Sequence, residues 1–175
     1  MSMTMKKILF TGFVPFLDNL VNPSKEILEL IDDQDTYLLD VDYKKADEFF
    51  LSFNPSKYDF VVSFGLASSR TEVSLERVAH NLVNTKVKDN SSYIPTSPYI
   101  ELGGKNLVTN LDLEKYIDRF EDAKVSFDAG TYLCNYVYYN FLKKMKGNAL
   151  FIHLPSKEVN YIKIIDTIKK IIDEI

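Results

Sequence analysis

The sequence predicts a single-domain α/β/α sandwich with a twisted, mostly parallel but mixed central sheet. Three observations carry this. Short apolar runs such as Phe60-Val61-Val62-Ser63-Phe64 lack the polar alternation of a strand with one wet face, so they read as central strands covered on both sides. Between such runs lie segments with apolar residues at helical spacing, as in Ile165, Ile168 and Ile172. Strands alternating with helices build a largely parallel sheet between helical layers. At 175 residues and 46% hydrophobic, the chain has material for one core, and residues 1–175 are read as one domain.

Taken in order, Lys7 to about Thr11 is a buried strand stopped by Gly12. Asn22-Pro23-Ser24-Lys25-Glu26 is a helix start, with Asn22 as N-cap and Pro23 where its missing N–H leaves no bond unmade. Ile27, Leu28, Leu30 and Ile31 form that helix's inward stripe. Thr36 to Val41 is a second strand, and Tyr43 to Phe53 a helix with Ala46, Phe49 and Phe50 inward. Asp59 to Gly65 is a central strand, after whose C-terminal end a functional loop is expected. Glu72 to Asn81 alternates as a strand, with Glu72, Ser74, Glu76, Val78 and His80 on one face. The stretch from Asn84 to Asn110 is rich in Asn, Ser, Pro and Gly and reads as loop with a short strand. Asp112 caps a helix to about Phe120, Lys124 to Phe127 is a strand, and Thr131 to Lys144 is a helix. Asn148 to His153 is the last strand. Val159 to Ile175 closes the chain as a helix with Ile162, Ile165, Ile168, Ile171 and Ile172 inward.

Composition narrows the function. A net charge of −4 gives no basic footprint for nucleic acid, and no Lys/Arg run marks a membrane surface. Lys6-Lys7 and the apolar residues after it imitate a signal peptide, but Gly12 and Pro15 interrupt the run and no small-x-small cleavage site follows. The single cysteine, Cys134, cannot form an internal disulfide, which points to a reducing, cytoplasmic setting. Gly65-Leu66-Ala67-Ser68-Ser69-Arg70 lacks the glycines of a phosphate-cradling turn. No cofactor is expected.

A free Cys is ordinarily a small buried hydrophobe. Cys134, however, stands in Gly130-Thr131-Tyr132-Leu133-Cys134-Asn135, at a helix start, where unpaired N–H groups and the helix dipole lower a thiol's pKa. His153 follows in Phe151-Ile152-His153-Leu154-Pro155, making a Cys/His hydrolase pair. His80 with His153 and Cys134 would supply three zinc ligands, but neither His lies in a recognised ligand spacing and there is no second Cys, so no metal is expected.

Four ordered segments carry a resemblance: Thr11-Gly12-Phe13-Val14-Pro15-Phe16, Arg70-Thr71-Glu72-Val73-Ser74-Leu75-Glu76-Arg77-Val78-Ala79, Gly130 to Asn135, and Phe151 to Pro155. Together they resemble the pyroglutamyl peptidase I (pyrrolidone-carboxylate peptidase) family, whose patterns are T-G-F-x-P-F-G-G, G-x-A-G-G-R followed by E-R-V-A-x-N, A-G-T-[FY]-x-C-N and F-[IV]-H-[IVL]-P. The resemblance implies an α/β/α cysteine peptidase that removes N-terminal pyroglutamate, assembled as a homodimer or homotetramer. It implies Cys134 as nucleophile, His153 as general base and acid, and Glu76 as the carboxylate orienting the imidazole. Glu72 shares the strand face with Glu76, and only the E-R-V-A match separates them. Phe13 and Phe16 would clasp the lactam ring, with Leu66, Val87 and Leu133 lining its pocket; their other reading is ordinary core packing.

The chain departs from the pattern around that pocket. Leu17-Asp18 replaces a glycine pair, Ser68-Ser69 replaces G-G before Arg70, and Leu66 stands where many members have Gln. Lys86-Val87-Lys88-Asp89-Asn90 replaces R-I-P-D-N, exchanging a planar bidentate donor for a point charge. The chain is also shorter than typical members. Catalytic motifs survive better than the pocket rim, so two further readings stand beside the first: a cysteine amidase of changed acyl specificity, and a non-catalytic binding protein.

Overall fold

The computed structural model describes residues 5–16 and 21–175. The chain lays down strands β1 (Ile8–Phe13), β2 (Asp35–Leu39), β3 (Phe60–Leu66), β4 (Val73–Glu76), β5 (Val78–Ala79), β6 (Leu107–Val108), β7 (Ala123–Ser126) and β8 (Ala149–Leu154). Between and after them come helices α1 (Pro23–Leu28), α2 (Tyr43–Ser52), α3 (Leu113–Tyr116), α4 (Leu133–Lys144) and α5 (Tyr161–Glu174). The main sheet has the order β2-β1-β3-β8-β4-β7. β2, β1, β3 and β8 are mutually parallel, whereas β4 runs antiparallel to β8 and parallel to β7. This is the mixed, mostly parallel sheet the apolar runs imply.

Successive strand residues face opposite layers. On one face Phe10, Val62, Phe64 and Ile152 pack with Ile27 of α1, Leu113 of α3 and Ile168 of α5. On the other, Leu9, Val61 and Phe151 pack with Phe50 of α2 and Val137 and Phe141 of α4. Each such fully buried side chain contributes about 1.5–3 kcal/mol of transfer free energy, which makes the two-sided sheet the stable arrangement.

Several boundaries differ from the sequence reading. β1 continues through Gly12 to Phe13, because α1 passes so close that a Cβ at Gly12 would run into the Ser24 carbonyl. α1 ends at Leu28, so Leu30 falls outside the stripe and is exposed. In α5 the inward stripe includes Ile164, while Ile162 is 59% exposed. Phe49 is half-buried. The strand expected from Glu72 to Asn81 divides at Arg77, whose N–H donates to Ser126 O while its carbonyl accepts from Thr109 N. Beyond that break β5 pairs with β6, the short strand within the loop-rich stretch. α4 begins at Leu133 rather than Thr131. No described helix is long and apolar enough to cross a membrane.

Candidate active site

Antiparallel pairing sets the Glu76–His153 pair. Ser74 lies opposite His153 and Glu76 opposite Phe151, so Glu76 and His153 are diagonal neighbours on one sheet face, within side-chain reach. His153 Nδ1 lies 2.8 Å from Glu76 Oε1. A carboxylate only accepts, so Nδ1 carries the proton and donates it, and in the neutral ring that leaves the lone pair on Nε2. Glu76 has no exposed surface and His153 is 4% exposed. A buried carboxylate needs partners. Arg70 supplies a second one, its Nη1 donating to the same Oε1 at 2.5 Å. Tyr138, one turn after Cys134 in α4, donates its hydroxyl to the Glu76 carbonyl at 2.6 Å and fixes the strand backbone.

Cys134 is the second residue of α4, whose N-cap, Tyr132, makes no side-chain capping bond. The first helical backbone bond is Tyr136 N to Tyr132 O, so the N–H groups of Leu133, Cys134 and Asn135 have no intrahelical acceptor. Asn135 seats the helix start: its Oδ1 accepts from His80 N at 2.9 Å, and its Nδ2 donates to His80 O at 2.8 Å.

Gly65 of β3 is the register partner of His153, and a Cβ built on it would lie 2.7 Å from Cys134 Sγ and 2.7 Å from the Phe151 ring. Only a bare Cα lets the sulphur rest on the sheet beside the imidazole. Gly65→Ala is therefore expected to push Sγ aside and lower kcat by on the order of 10²-fold, the scale of an ångström-sized misplacement. Steady-state kinetics check it, and a kcat within twofold of wild type would refute it.

The thiol's proton affinity runs opposite to the sequence expectation. Burial pushes the Cys134 thiol up to about 12, and the Glu76 charge adds to this; Arg70 and a backbone N–H pull downward and do not prevail. The helix start is present, but dehydration of the sulphur outweighs it. Among the described residues, no hydrogen bond joins Sγ to the imidazole, so the hydrogen-bonded chain runs Arg70–Glu76–His153 and stops short of the sulphur.

A cavity of about 150 Å³ opens at Cys134, walled by Phe13, Phe16, Leu66, Tyr132 and Leu133, with Asn22, Val41 and Ser68 completing it. Phe16 packs against Tyr132 with ring centroids 5.3 Å apart. Larger surface hollows exist, such as that of about 580 Å³ beside Tyr37, Lys45 and Tyr58, but that one does not reach Cys134. Four of the five ring-pocket residues implied by the resemblance thus line one cavity. The fifth, Val87, is 40% exposed and is not part of its wall. Sequence reasoning missed Tyr132 and Asn22 at the cavity and Arg70 and Tyr138 behind Glu76. An aromatic two residues before Cys134 was the available signal for Tyr132.

The departures resolve unevenly. Ser68 and Ser69 occupy a turn closed by Arg70 N to Ala67 O at 3.0 Å, and neither has a positive φ, so no glycine is needed there. Lys86 and Lys88 are exposed, and the Lys88 carbonyl accepts from the Tyr132 hydroxyl at 2.7 Å. Leu17 and Asp18 lie outside the described residues. His80 turns away to the Phe127 carbonyl, 3.0 Å from its Nε2, and no group of three His, Cys, Asp or Glu suited to a metal occurs among the described residues.

A helix-start thiol beside a buried, carboxylate-backed imidazole, mounted on an α/β/α sandwich, is the arrangement of a cysteine peptidase. Comparison with known proteins makes this specific. The pyroglutamyl peptidase family model matches residues 6–172. The chain is 34% identical to the pyrrolidone-carboxylate peptidase of Fusobacterium nucleatum over 86% of its length and 78% of the relative's. It is also 34% identical to that of Oceanobacillus iheyensis, over 87% of this chain and 85% of the relative. Among solved structures it superposes on pyroglutamyl peptidase I from Bacillus amyloliquefaciens with a TM-score of 0.83 at 25% identity, covering 98% of this chain and 94% of that one. For the pyrrolidone carboxyl peptidase of Thermococcus litoralis the TM-score is 0.80 at 28% identity, covering 96% and 92%. The chain belongs to the pyroglutamyl peptidase family.

Proposed function

We infer that this chain is a cysteine peptidase that hydrolyses the N-terminal pyroglutamyl group from peptides through a thioester. The observation that carries the reading is the placement of Cys134 on a small aromatic-walled cavity, with its Sγ packed over Gly65, the strand-register partner of the His153 that Glu76 holds. Pyroglutamate is a compact, neutral, flat lactam, and a cavity of about 150 Å³ between Phe13 and Phe16 suits one such ring and little more.

With the thiol held protonated, attack and deprotonation go together. His153 Nε2 takes the Cys134 proton as sulphur bonds to the acyl carbon, and Glu76 stabilises the imidazolium through Nδ1. The oxyanion is met by N–H groups at the start of α4, which make no intrahelical bond. Collapse breaks the C–N bond, and the imidazolium returns the proton to the departing amine. The neutral imidazole then deprotonates water, which attacks the thioester; the acyl group leaves as pyroglutamate and Cys134 recovers its proton.

A lone cysteine as nucleophile suits a reducing, cytoplasmic setting. Assembly as a homodimer or homotetramer is supported by the family resemblance. The expected result is release of fluorophore from a pyroglutamyl coumarylamide, with no release from the prolyl analogue, whose ring bears a charged amine and lacks the lactam carbonyl. Fast iodoacetamide labelling of Cys134 without turnover of the pyroglutamyl amide would sink this reading in favour of a changed acyl specificity.

A further inference from the structure

Glu76 is a carboxylate with no exposed surface, and its Oε2 has no hydrogen-bond partner among the described residues. All compensation of its charge therefore falls on Oε1, where Arg70 Nη1 at 2.5 Å and His153 Nδ1 at 2.8 Å converge. Arg70 reaches further. Its Nη1 also donates to Ser126 Oγ at 3.1 Å, and its Nη2 donates to the Asp128 carbonyl. Asp128 Oδ1 in turn accepts from Gly130 N at 2.8 Å, in the segment that leads into Tyr132 and Cys134. One guanidinium thus spans the turn after β3, the acid of β4 and the approach to α4. It keeps a 20% exposed side chain, so it stays charged while facing an acid that water does not reach.

We infer that Arg70 is a positioning residue for the hydrolysis: by sharing Glu76 Oε1 with His153 it keeps the buried carboxylate ionised and ties it to the loop that presents Cys134. This rests on the peptidase reading above. The chemistry requires a cation that cannot lose its proton, since a neutral donor would leave the carboxylate free to take one up, and a protonated Glu76 cannot stabilise the imidazolium. The other titratable groups facing the pair are Cys134 and Tyr138 from α4, both pushed upward by burial and so neutral. Arg77, the residue at which the strand breaks, turns to Glu114, and His80 and Asp128 lie on the loop side, 4.0 Å from each other. Arg70 is thus the only one of these cations bonded to the carboxylate.

Removing a cation that is hydrogen-bonded to a carboxylate raises that carboxylate's affinity for a proton, and with it that of an imidazole bonded to the same oxygen. In Arg70→Gln the acid limb of the kcat/KM profile for a pyroglutamyl coumarylamide is expected to move upward by about one pH unit or more. In Arg70→Lys the limb is expected to stay near the wild-type pH while the plateau falls, because the charge remains and the fork is lost. An unmoved limb in Arg70→Gln would overturn the proposal, since a purely structural arginine lowers the plateau alone. Should Arg70→Gln not fold, the Arg70→Gln/Glu76→Gln double variant, which has no unpaired buried charge, carries the test. Its residual turnover and unfolding midpoint are expected to match Glu76→Gln alone, and additive losses would overturn the proposal. If the wild-type chain turns over no pyroglutamyl amide, the peptidase reading fails instead. The His153 ring resonances, assigned with a His80→Gln chain, then report the same upward shift in Arg70→Gln or its absence.

Discussion

Replacing Cys134 with Ala is expected to lower kcat by about 10⁶-fold, the scale on which a covalent hydrolase loses its nucleophile. At about 1.4 kcal/mol per decade this is about 8 kcal/mol of barrier, more than any other single change to this chain would produce. The variant should fold, because the sulphur rests on Gly65 and Phe151 and its loss leaves only a small void. Measurement is by turnover of a pyroglutamyl coumarylamide, and retention of more than about 1% of wild-type kcat would exclude Cys134 as nucleophile. The same variant reads the thiol's environment. The native thiol holds its proton up to about 12 against an ordinary 9.0. Between those values the folded chain binds more protons than the unfolded one, so its stability is full below about 9 and falls as pH rises through the window. Cys134→Ala lacks this fall. Denaturant unfolding at about pH 8 and about pH 10 compares the two chains, and equal pH dependence would contradict a raised thiol pKa.

His153→Ala is expected to be nearly as severe, and the Cys134→Ala/His153→Ala chain no worse than either alone, because the two residues act as one unit. The direction of the thiol shift sharpens this expectation. Were Cys134 a resting thiolate, removing the imidazole would spare the attack step and harm mainly amine departure. With the thiol protonated, His153 must also accept its proton, so acylation itself should fail. Single-turnover acylation and iodoacetamide labelling across pH separate the two. In His153→Ala, labelling is expected to climb with pH toward the raised thiol pKa, and fast labelling at neutral pH would refute the proton-acceptor role.

Much of the architecture was legible because it depends on local pattern. The largely apolar runs at Phe60–Leu66 and Ala149–Leu154 became central strands, and Asn22-Pro23 became a capped helix start. What escaped depends on partners distant in sequence. Seven isoleucines between Tyr161 and Ile175 allow more than one inward stripe, and only contact with the sheet selects Ile164 over Ile162. The break at Arg77 is made by Ser126 and Thr109, which no alternation near Glu76 reveals. The site shows the same division. Cys134, His153 and Glu76 lie in motifs, and the register of β4 on β8 joins the last two. Arg70 sits six residues before Glu76 as one more charged side chain until the fold brings both to a buried oxygen. The thiol's direction was misread because a helix start is visible in sequence, whereas the dehydration that outweighs it is a property of packing.

The reversed direction of β4 carries one more consequence. β8 is bonded along both edges, to β3 on one side and β4 on the other, and all six of its residues are buried. His153 and Glu76 are therefore part of a weave of backbone in which opening requires breaking two ladders at once. Their spacing is set by strand register, which cannot drift by fractions of a residue. Adaptation to other acyl groups falls instead to the cavity walls at and beyond the end of β1, where Phe13, Phe16 and Asn22 stand outside the β4–β8 ladder. The Glu76–His153 pair is fixed by the fold; the cavity walls are free to diverge around it.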